Sequence, residues 1–293
     1  MKILIIGSNG FIGSNAIQYF SRMGNEVSGA DVYPSENNCP FYKIESASDY
    51  NFIFKMREFD VCINASGSAT VGYSFANTFD DFVLNSVNVF HLLDAIKKNN
   101  PECKFIQLSS AAVYGAPDEL PIRENTCPSP MSPYAYHKYL SEIICMEYFN
   151  IFNIPVCPVR IFSVYGPGLK KQLLWDIYQK SLKSDIIELS GKGTESRDFI
   201  FIEDLLQAFD CIIKSDDFKG QPVNIGSGNE ITISSLANLF IDMISPGKKI
   251  IFNNHVRPGD PQQWKANISK LNHWGFSTKF SLKEGLSNYI KKM

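Results

Sequence analysis

Apolar and polar positions follow two rhythms along the first half of the chain. Residues 3–6, 26–30, 59–64 and 104–108 are short apolar or β-branched runs of strand length, and Val156–Ile161 is another. Residues 12–23 and 80–98 instead carry apolar side chains at helical spacing. Strands that alternate with helices predict a parallel sheet covered on both faces, since each crossover must return the chain to the same end of the sheet. The expected class is α/β, a Rossmann doubly wound parallel sheet. After Tyr165 the rhythm changes. Gly166, Pro167 and Gly168 break it, and glycines and prolines near 191–193, 226–228 and 258–261 punctuate shorter elements. Residues 166–293 are therefore expected to form mainly a smaller lobe, interleaved with the large domain of residues 1–165. Segments such as 198–202 are expected to return to that large domain.

Composition narrows the function. Of the 293 residues 44% are hydrophobic, and the net charge of -2 provides no basic field for nucleic acid. No apolar run approaches the roughly 20 residues that span a bilayer. The first apolar run is also too short for a signal peptide, so a cytoplasmic protein without membrane contact is expected. Seven cysteines, an odd number with no Cys-x-x-Cys pair, predict reduced thiols rather than disulfides or zinc. His91, His137, His255 and His273 form no ligand pattern, so no metal is expected.

The chemistry starts at Gly7-Ser8-Asn9-Gly10-Phe11-Ile12-Gly13, directly after the first strand. Glycines at this spacing let a strand turn sharply into a helix, let the backbone approach a pyrophosphate, and let the helix pack closely on the sheet. The helix N-terminus then offers N–H donors to the phosphates. Asp31 ends the second strand, where a carboxylate accepts hydrogen bonds from ribose hydroxyls and repels a 2′-phosphate. Val32, Tyr33 and Pro34 follow it without an arginine, which favours NAD over NADP.

Tyr134-Ala135-Tyr136-His137-Lys138 sets a tyrosine one helical turn before a lysine. A free phenol is a poor base at neutral pH, but a nearby ammonium and a positive nicotinamide favour the phenolate. Tyr134 thereby becomes a candidate acid/base toward an alcohol or ketone. Upstream, Leu108-Ser109-Ser110-Ala111-Ala112-Val113-Tyr114-Gly115 places hydroxyls at a strand end, where open parallel sheets bind ligands.

In this order the motifs resemble those of the extended short-chain dehydrogenase/reductases, in the NAD-dependent epimerase/dehydratase group that acts on sugar nucleotides. The likeness extends through Val159-Arg160-Ile161-Phe162-Ser163-Val164-Tyr165-Gly166-Pro167 and through Ser196-Arg197-Asp198-Phe199-Ile200-Phe201-Ile202-Glu203-Asp204. It continues in Val223-Asn224-Ile225-Gly226-Ser227-Gly228, Arg257-Pro258-Gly259-Asp260 and Ala266-Asn267-Ile268-Ser269-Lys270. The resemblance implies that Ser110 is the catalytic hydroxyl, Tyr134 the acid/base, and Lys138 its helper and a nicotinamide-ribose ligand. It implies NAD contacts from Gly7, Asn9, Gly10, Phe11, Ile12, Gly13, Asp31, Asn64, Ala65, Ser66, Ser86, Leu108, Ile161 and Phe162. It implies substrate contacts from Ser110, Ala111, Tyr134, Ser163, Arg197, Arg257, Asp260 and Trp264, with the two arginines on the diphosphate. The chain departs from the family at Ser163, where asparagine is common, at Ser86-Val87, where Asn-Val is common, and at Asn64-Ala65-Ser66, which is less apolar.

The resemblance further implies a homodimer through helices 80–98 and 134–149, and a UDP-, dTDP- or GDP-hexose as substrate. Ala111 and Ala112 stand where a 4,6-dehydratase carries an Asp-Glu pair, so dehydration is disfavoured. The expected activity is an NAD-dependent 4-epimerase; a 4-ketoreductase of a keto-deoxy sugar nucleotide is the alternative, and a non-catalytic dinucleotide sensor a remote one. Trp264 lies where related epimerases line the sugar pocket, and its bulk disfavours a 2-acetamido group.

Overall fold

The computed structural model describes residues 1–35, 39–45, 49–255 and 262–293. The strands are β1 (Lys2–Ile6), β2 (Glu26–Asp31), β3 (Phe41–Lys43), β4 (Val61–Asn64), β5 (Lys104–Ser110), β6 (Val156–Ile161), β7 (Ser163–Tyr165), β8 (Ile186–Leu189), β9 (Ser196–Phe201), β10 (Val223–Ile225), β11 (Glu230–Thr232) and β12 (Lys249–Phe252). The helices are α1 (Phe11–Arg22), α2 (Asn51–Met56), α3 (Val71–Ala76), α4 (Thr78–Phe82), α5 (Asn88–Asn99), α6 (Pro133–Phe152), α7 (Gln172–Ser181), α8 (Ile202–Ser215), α9 (Ile233–Ile244), α10 (Ser269–His273) and α11 (Leu282–Ile290).

Seven strands form one sheet in the order β10-β6-β5-β4-β1-β2-β3, and every neighbouring pair is parallel. β1 shows why its sequence is apolar without interruption. Ile3 and Ile5 face the cluster built with Ala16, Ile17 and Phe20 of α1 and Leu205 and Phe209 of α8. Leu4 and Ile6 face the opposite cluster, with Ile53 and Phe54 of α2, Leu92, Leu93 and Ile96 of α5, and Tyr148 of α6. A strand covered on both faces has no polar side to show, as doubly wound sheets require. The strand order reverses direction between β1 and β4, the crevice where such sheets take their ligands.

One expectation is revised. The helix expected over 80–98 is α4, a π-helical turn over Val83–Val87, and then α5. The wider turn brings both Asn85 and Ser86 inward, each 1% exposed, which uninterrupted α spacing does not do. In the segment 198–202, β9 pairs antiparallel with β11 and parallel with β7 in a separate three-stranded sheet, while Ile200, Phe201 and Ile202 pack in the same cluster as Ile3 and Ile5 of β1. β10 is hydrogen-bonded to β6 at the sheet edge. β3 was not anticipated, because three residues are too few to show a period.

Candidate active site

At the β1–α1 turn, Gly7 has φ +76, and a Cβ there would lie 2.7 Å from Ser66 Cα and 2.8 Å from the Ala65 carbonyl carbon. At Gly13 a Cβ would meet the Gly7 carbonyl oxygen at 2.1 Å. Only hydrogen fits at either place, so α1 begins hard against the turn. α1 has no acidic residue in its first turn and no side-chain cap, which leaves its N–H groups to an anion. Asn9 and Gly10 are exposed, with Phe11 and Ile12 half-buried. Asp31 accepts from the backbone N–H of Asn9 at 2.9 Å and of Val32 at 2.7 Å, so its carboxylate is fixed at the mouth of this loop. The cradle fits the adenosine diphosphate half of a dinucleotide.

Across the switch point, Asn64 is buried and donates to Gln107 Oε1 at 2.8 Å. Its Oδ1 accepts from Ser66 Oγ at 2.6 Å, which shapes the 64–66 turn beside Gly7. The polar triplet thus satisfies itself locally.

Ser110 ends β5 and caps a 3-10 turn over Ala111–Tyr114, accepting from the Ala112 N–H at 3.2 Å. α6 starts sharply because Ser132 caps it, accepting from Ala135 N at 3.2 Å, and Pro133 opens its first turn. That start presents Tyr134, His137, Lys138 and Ser141 on one buried face. Ser110 is close enough to the Tyr134 hydroxyl to favour its ionised form, and Lys138 Nζ donates to the Leu108 carbonyl at 2.9 Å. The three groups named from sequence are therefore together, at the C-terminal end of β5.

Burial pushes the Tyr134 hydroxyl up to about 12, with Ser110 opposing and the Asp81 charge adding to the rise. Lys138 is turned to the Leu108 carbonyl, and desolvation dominates at the Tyr134 hydroxyl. Burial likewise pulls Lys138 down to about 8, against the raising charges of Asp81 and Glu142.

The opposite wall is aromatic. Phe162 follows β6 and meets the Trp264 ring edge-on at 6.2 Å, while Ile161 lies buried beside it. Trp264 Nε1 donates to the Gly115 carbonyl at 3.1 Å, and the Arg197 guanidinium stacks 5.3 Å from its ring. Ala111 is buried behind Ser110, and Ser163 is half-buried at the start of β7. Asp198 supports this wall: it is fully buried and accepts from Ser227, Gly228 and Ala266 N–H groups, tying three segments together. Arg257 and Asp260 lie outside the described residues.

Sequence reasoning missed two features. Ser86, expected at the cofactor, donates its hydroxyl to the His137 carbonyl at 3.0 Å. One residue earlier, Asn85 is 1% exposed and both polar atoms of its amide are without a partner among the described residues. Its Oδ1 stands 2.5 Å from where a Cβ on Gly67 would be. A buried amide left open is costly unless a ligand completes it. Two asparagines, 85 and 88, inside an apolar helical stretch were the available signal. The second feature is a buried network below Ser110. Glu142 takes Arg160 in a bidentate pair, at 3.0 Å through Nε and 2.7 Å through Nη2, and accepts from Ser109 Oγ at 2.5 Å.

A phosphate cradle at the switch point, facing a hydroxyl, a phenol and an ammonium at the next strand ends, defines a dinucleotide-dependent enzyme of alcohol–ketone chemistry. The chain belongs to the NAD dependent epimerase/dehydratase family, whose model matches residues 3–226. NAD is its cofactor. It is similar to an uncharacterized UDP-glucose epimerase of Bacillus subtilis, 28% identical over 99% of this chain and 97% of that protein. It is 26% identical to UDP-glucuronate 4-epimerase 4 of Arabidopsis thaliana, over 99% of this chain and 75% of that one. Among solved structures it resembles the UDP-glucuronic acid 4-epimerase of Bacillus cereus in complex with UDP-glucuronic acid and NAD: TM-score 0.90, 26% identity, covering 100% of this chain and 98% of that chain.

Proposed function

We propose that this chain is a 4-epimerase of a UDP-linked hexose. The observation that carries the reading is the meeting of Ser110, at the end of β5, with the buried Tyr134 and Lys138 of α6, Lys138 being anchored on the Leu108 carbonyl and two alanines, not carboxylates, following Ser110. Relatives and structural neighbours named as UDP-sugar 4-epimerases support it.

The Gly7–Gly13 turn and Asp31 would hold the adenosine diphosphate, and Asn64, Ala65, Ser66, Asn85, Ser86, Leu108, Ile161 and Phe162 would line the path to the nicotinamide end. Lys138 holds the nicotinamide ribose. Bound NAD supplies a hydride acceptor and, on the return, the donor. Ser110 holds the sugar's C4 oxygen, and Tyr134 removes its proton and later gives it back. The positive charge of the bound cofactor offsets the burial that raises Tyr134. Arg197, with Arg257, grips the diphosphate, and Ser163 adds a hydroxyl. Asp260 and Trp264 border the sugar, where Trp264 narrows the room at C2. Ala111 and Ala112 give no acid or base for expelling water, so the keto stage is re-reduced instead. The protein works as a homodimer: Tyr136, Leu140 and Ile143 leave an exposed apolar stripe along α6, with Phe90 exposed on α5.

The test is direct. Purified protein is denatured and any released dinucleotide identified by mass spectrometry, and native protein is incubated with UDP-glucose and UDP-glucuronate while C4 configuration is followed by NMR. Retained NAD and interconversion of C4 epimers, lost on Tyr134→Phe, are expected. An empty site that reduces a keto sugar nucleotide with added NADH would replace the epimerase reading with the ketoreductase.

A further inference from the structure

Asp81, on α4, is fully buried, and its Oδ2 lies 2.6 Å from Nδ1 of His137. Its other carboxylate oxygen has no partner among the described residues. His137 is itself 8% exposed and sits on α6 between Tyr134 and Lys138. Its ring meets the edge of Phe82 at 5.5 Å, and its carbonyl takes the Ser86 hydroxyl. A carboxylate with one hydrogen bond in such a place costs stability, and replacing the pair with apolar residues would cost less. The proton path written above does not use it.

The groups that act on Lys138 explain its presence. From β5 comes the Leu108 carbonyl, and the π-helical turn packed against α6 carries Asn85 and Ser86, all uncharged. From α6 itself comes Glu142, one turn on, and from β6 Arg160. Glu142 is already matched by Arg160, 2.7 Å away. Asp81 is then the one acid near Lys138 and Tyr134 whose only described partner is an imidazole, and its charge reaches both.

We propose that Asp81 and His137 are a positioning pair for the Tyr134–Lys138 helix: His137 orients the Asp81 carboxylate, and the carboxylate supplies the counter-charge for the Lys138 ammonium. The same bond clamps α4 to α6, and the π-helical turn that leaves α4 carries Asn85, so the clamp also sets where that amide points. This rests on the reading of Tyr134 and Lys138 given above.

The test uses the full-length enzyme with its cofactor and a UDP-hexose that the wild type turns over. Asp81→Asn keeps the shape and removes the charge. His137→Ala leaves the carboxylate without its partner, and His137→Asn puts an amide donor where Nδ1 stood. pH profiles of kcat and kcat/KM and thermal unfolding are recorded for each. Because the Asp81 charge raises both Tyr134 and Lys138, Asp81→Asn should move the whole profile to lower pH. His137→Ala, which keeps the charge but loses its orientation, should lower kcat, and His137→Asn should restore it, with KM near the wild-type value throughout. A folded Asp81→Asn enzyme whose profile stays in place overturns the proposal. So does His137→Asn behaving as His137→Ala, since a mere packing role would move melting temperature alone. A wild type inert toward every UDP-hexose, or a fully active Tyr134→Phe, overturns the site reading and this inference with it. An active wild type, a dead Tyr134→Phe and an unmoved profile overturn this inference alone.

Discussion

Lys138 gives its Nζ proton to the carbonyl oxygen of Leu108 at 2.9 Å, so the last turn of β5 and the second turn of α6 are joined through a buried ammonium. Burial lowers that ammonium from 10.5 to about 8 in the folded chain. Below pH 8 both folded and unfolded chains carry the proton, and folding bears the whole burial cost. Between about 8 and 10.5 the unfolded chain binds the proton more tightly, so this group makes stability rise with pH. Tyr134 acts oppositely at higher pH: raised from 10.0 to about 12, it makes stability fall with pH across that window. Relative to wild type, Lys138→Met should therefore lose ground as the pH rises from 8 to 10.5, because it lacks this group's gain. Urea unfolding at four pH values reads this; parallel curves would show that Lys138 is not desolvated as described.

Gly13 allows no side chain. The added Cβ would stand 2.1 Å from the Gly7 carbonyl oxygen and 2.9 Å from Ser8 Cα, both backbone atoms of the turn that takes the phosphates. Gly13→Ala must push α1 off the sheet. Overpacking of this kind costs about 1–3 kcal/mol. NAD affinity should drop by about tenfold or more, as 1.4 kcal/mol is a tenfold change. Calorimetric titration with NAD alongside a melting curve measures both. Unchanged affinity would mean that the cofactor does not lie against this turn.

How far the sequence could be read depended on the length over which each signal repeats. β1, β2, β5 and β6 show as apolar runs because both faces of the sheet are covered, and the Gly7–Gly13 and Tyr134–Lys138 spacings are local and so need no fold to be seen. The π-helical turn was hidden, since one extra residue in a helix leaves the apolar count unchanged while rotating Asn85 inward. The sheet of β9 could not be read because a strand's apolar content does not say which sheet it joins; its partners β7 and β11 are set by chain geometry. Pairs such as Asp81–His137 and Glu142–Arg160 join residues 56 and 18 positions apart, and nothing in either neighbourhood announces the other.

Glu142 and Arg160 are 5% and 3% exposed and hold each other through three hydrogen bonds, with Arg160 also stacked 4.6 Å over the Tyr114 ring. Tyr114 in turn donates to Asn224 Oδ1 at 2.7 Å on β10, and Ser109 donates to Glu142. Removing one partner strands the other charge. Arg160→Ala should destabilise by about 3–5 kcal/mol, the range for breaking a buried pair. Glu142→Gln should cost less, because the amide oxygen still accepts from Arg160. Chemical denaturation with matched m-values orders the two. Equal and small losses would show that water reaches the pair.

Trp264 is held on three sides, by its indole N–H on the Gly115 carbonyl at 3.1 Å, by Phe162 edge-on at 6.2 Å, and by the Arg197 guanidinium at 5.3 Å. A ring fixed this way cannot swing aside cheaply for a larger substrate. Gly115 has φ +61, and a Cβ there would meet the Ser129 carbonyl oxygen at 2.0 Å, so the turn carrying the acceptor is itself rigid. If the ring borders C2 of the sugar, an acetamido group there must displace it, whereas a hydroxyl need not. Trp264→Ala should then raise kcat/KM for UDP-N-acetylglucosamine relative to UDP-glucose, by about 10–100-fold if relief of the clash is worth 1.4–2.8 kcal/mol. Kinetics on both substrates with wild type and variant decide it. A variant that loses both activities equally would show that Trp264 supports Arg197 and Phe162 rather than selecting the sugar.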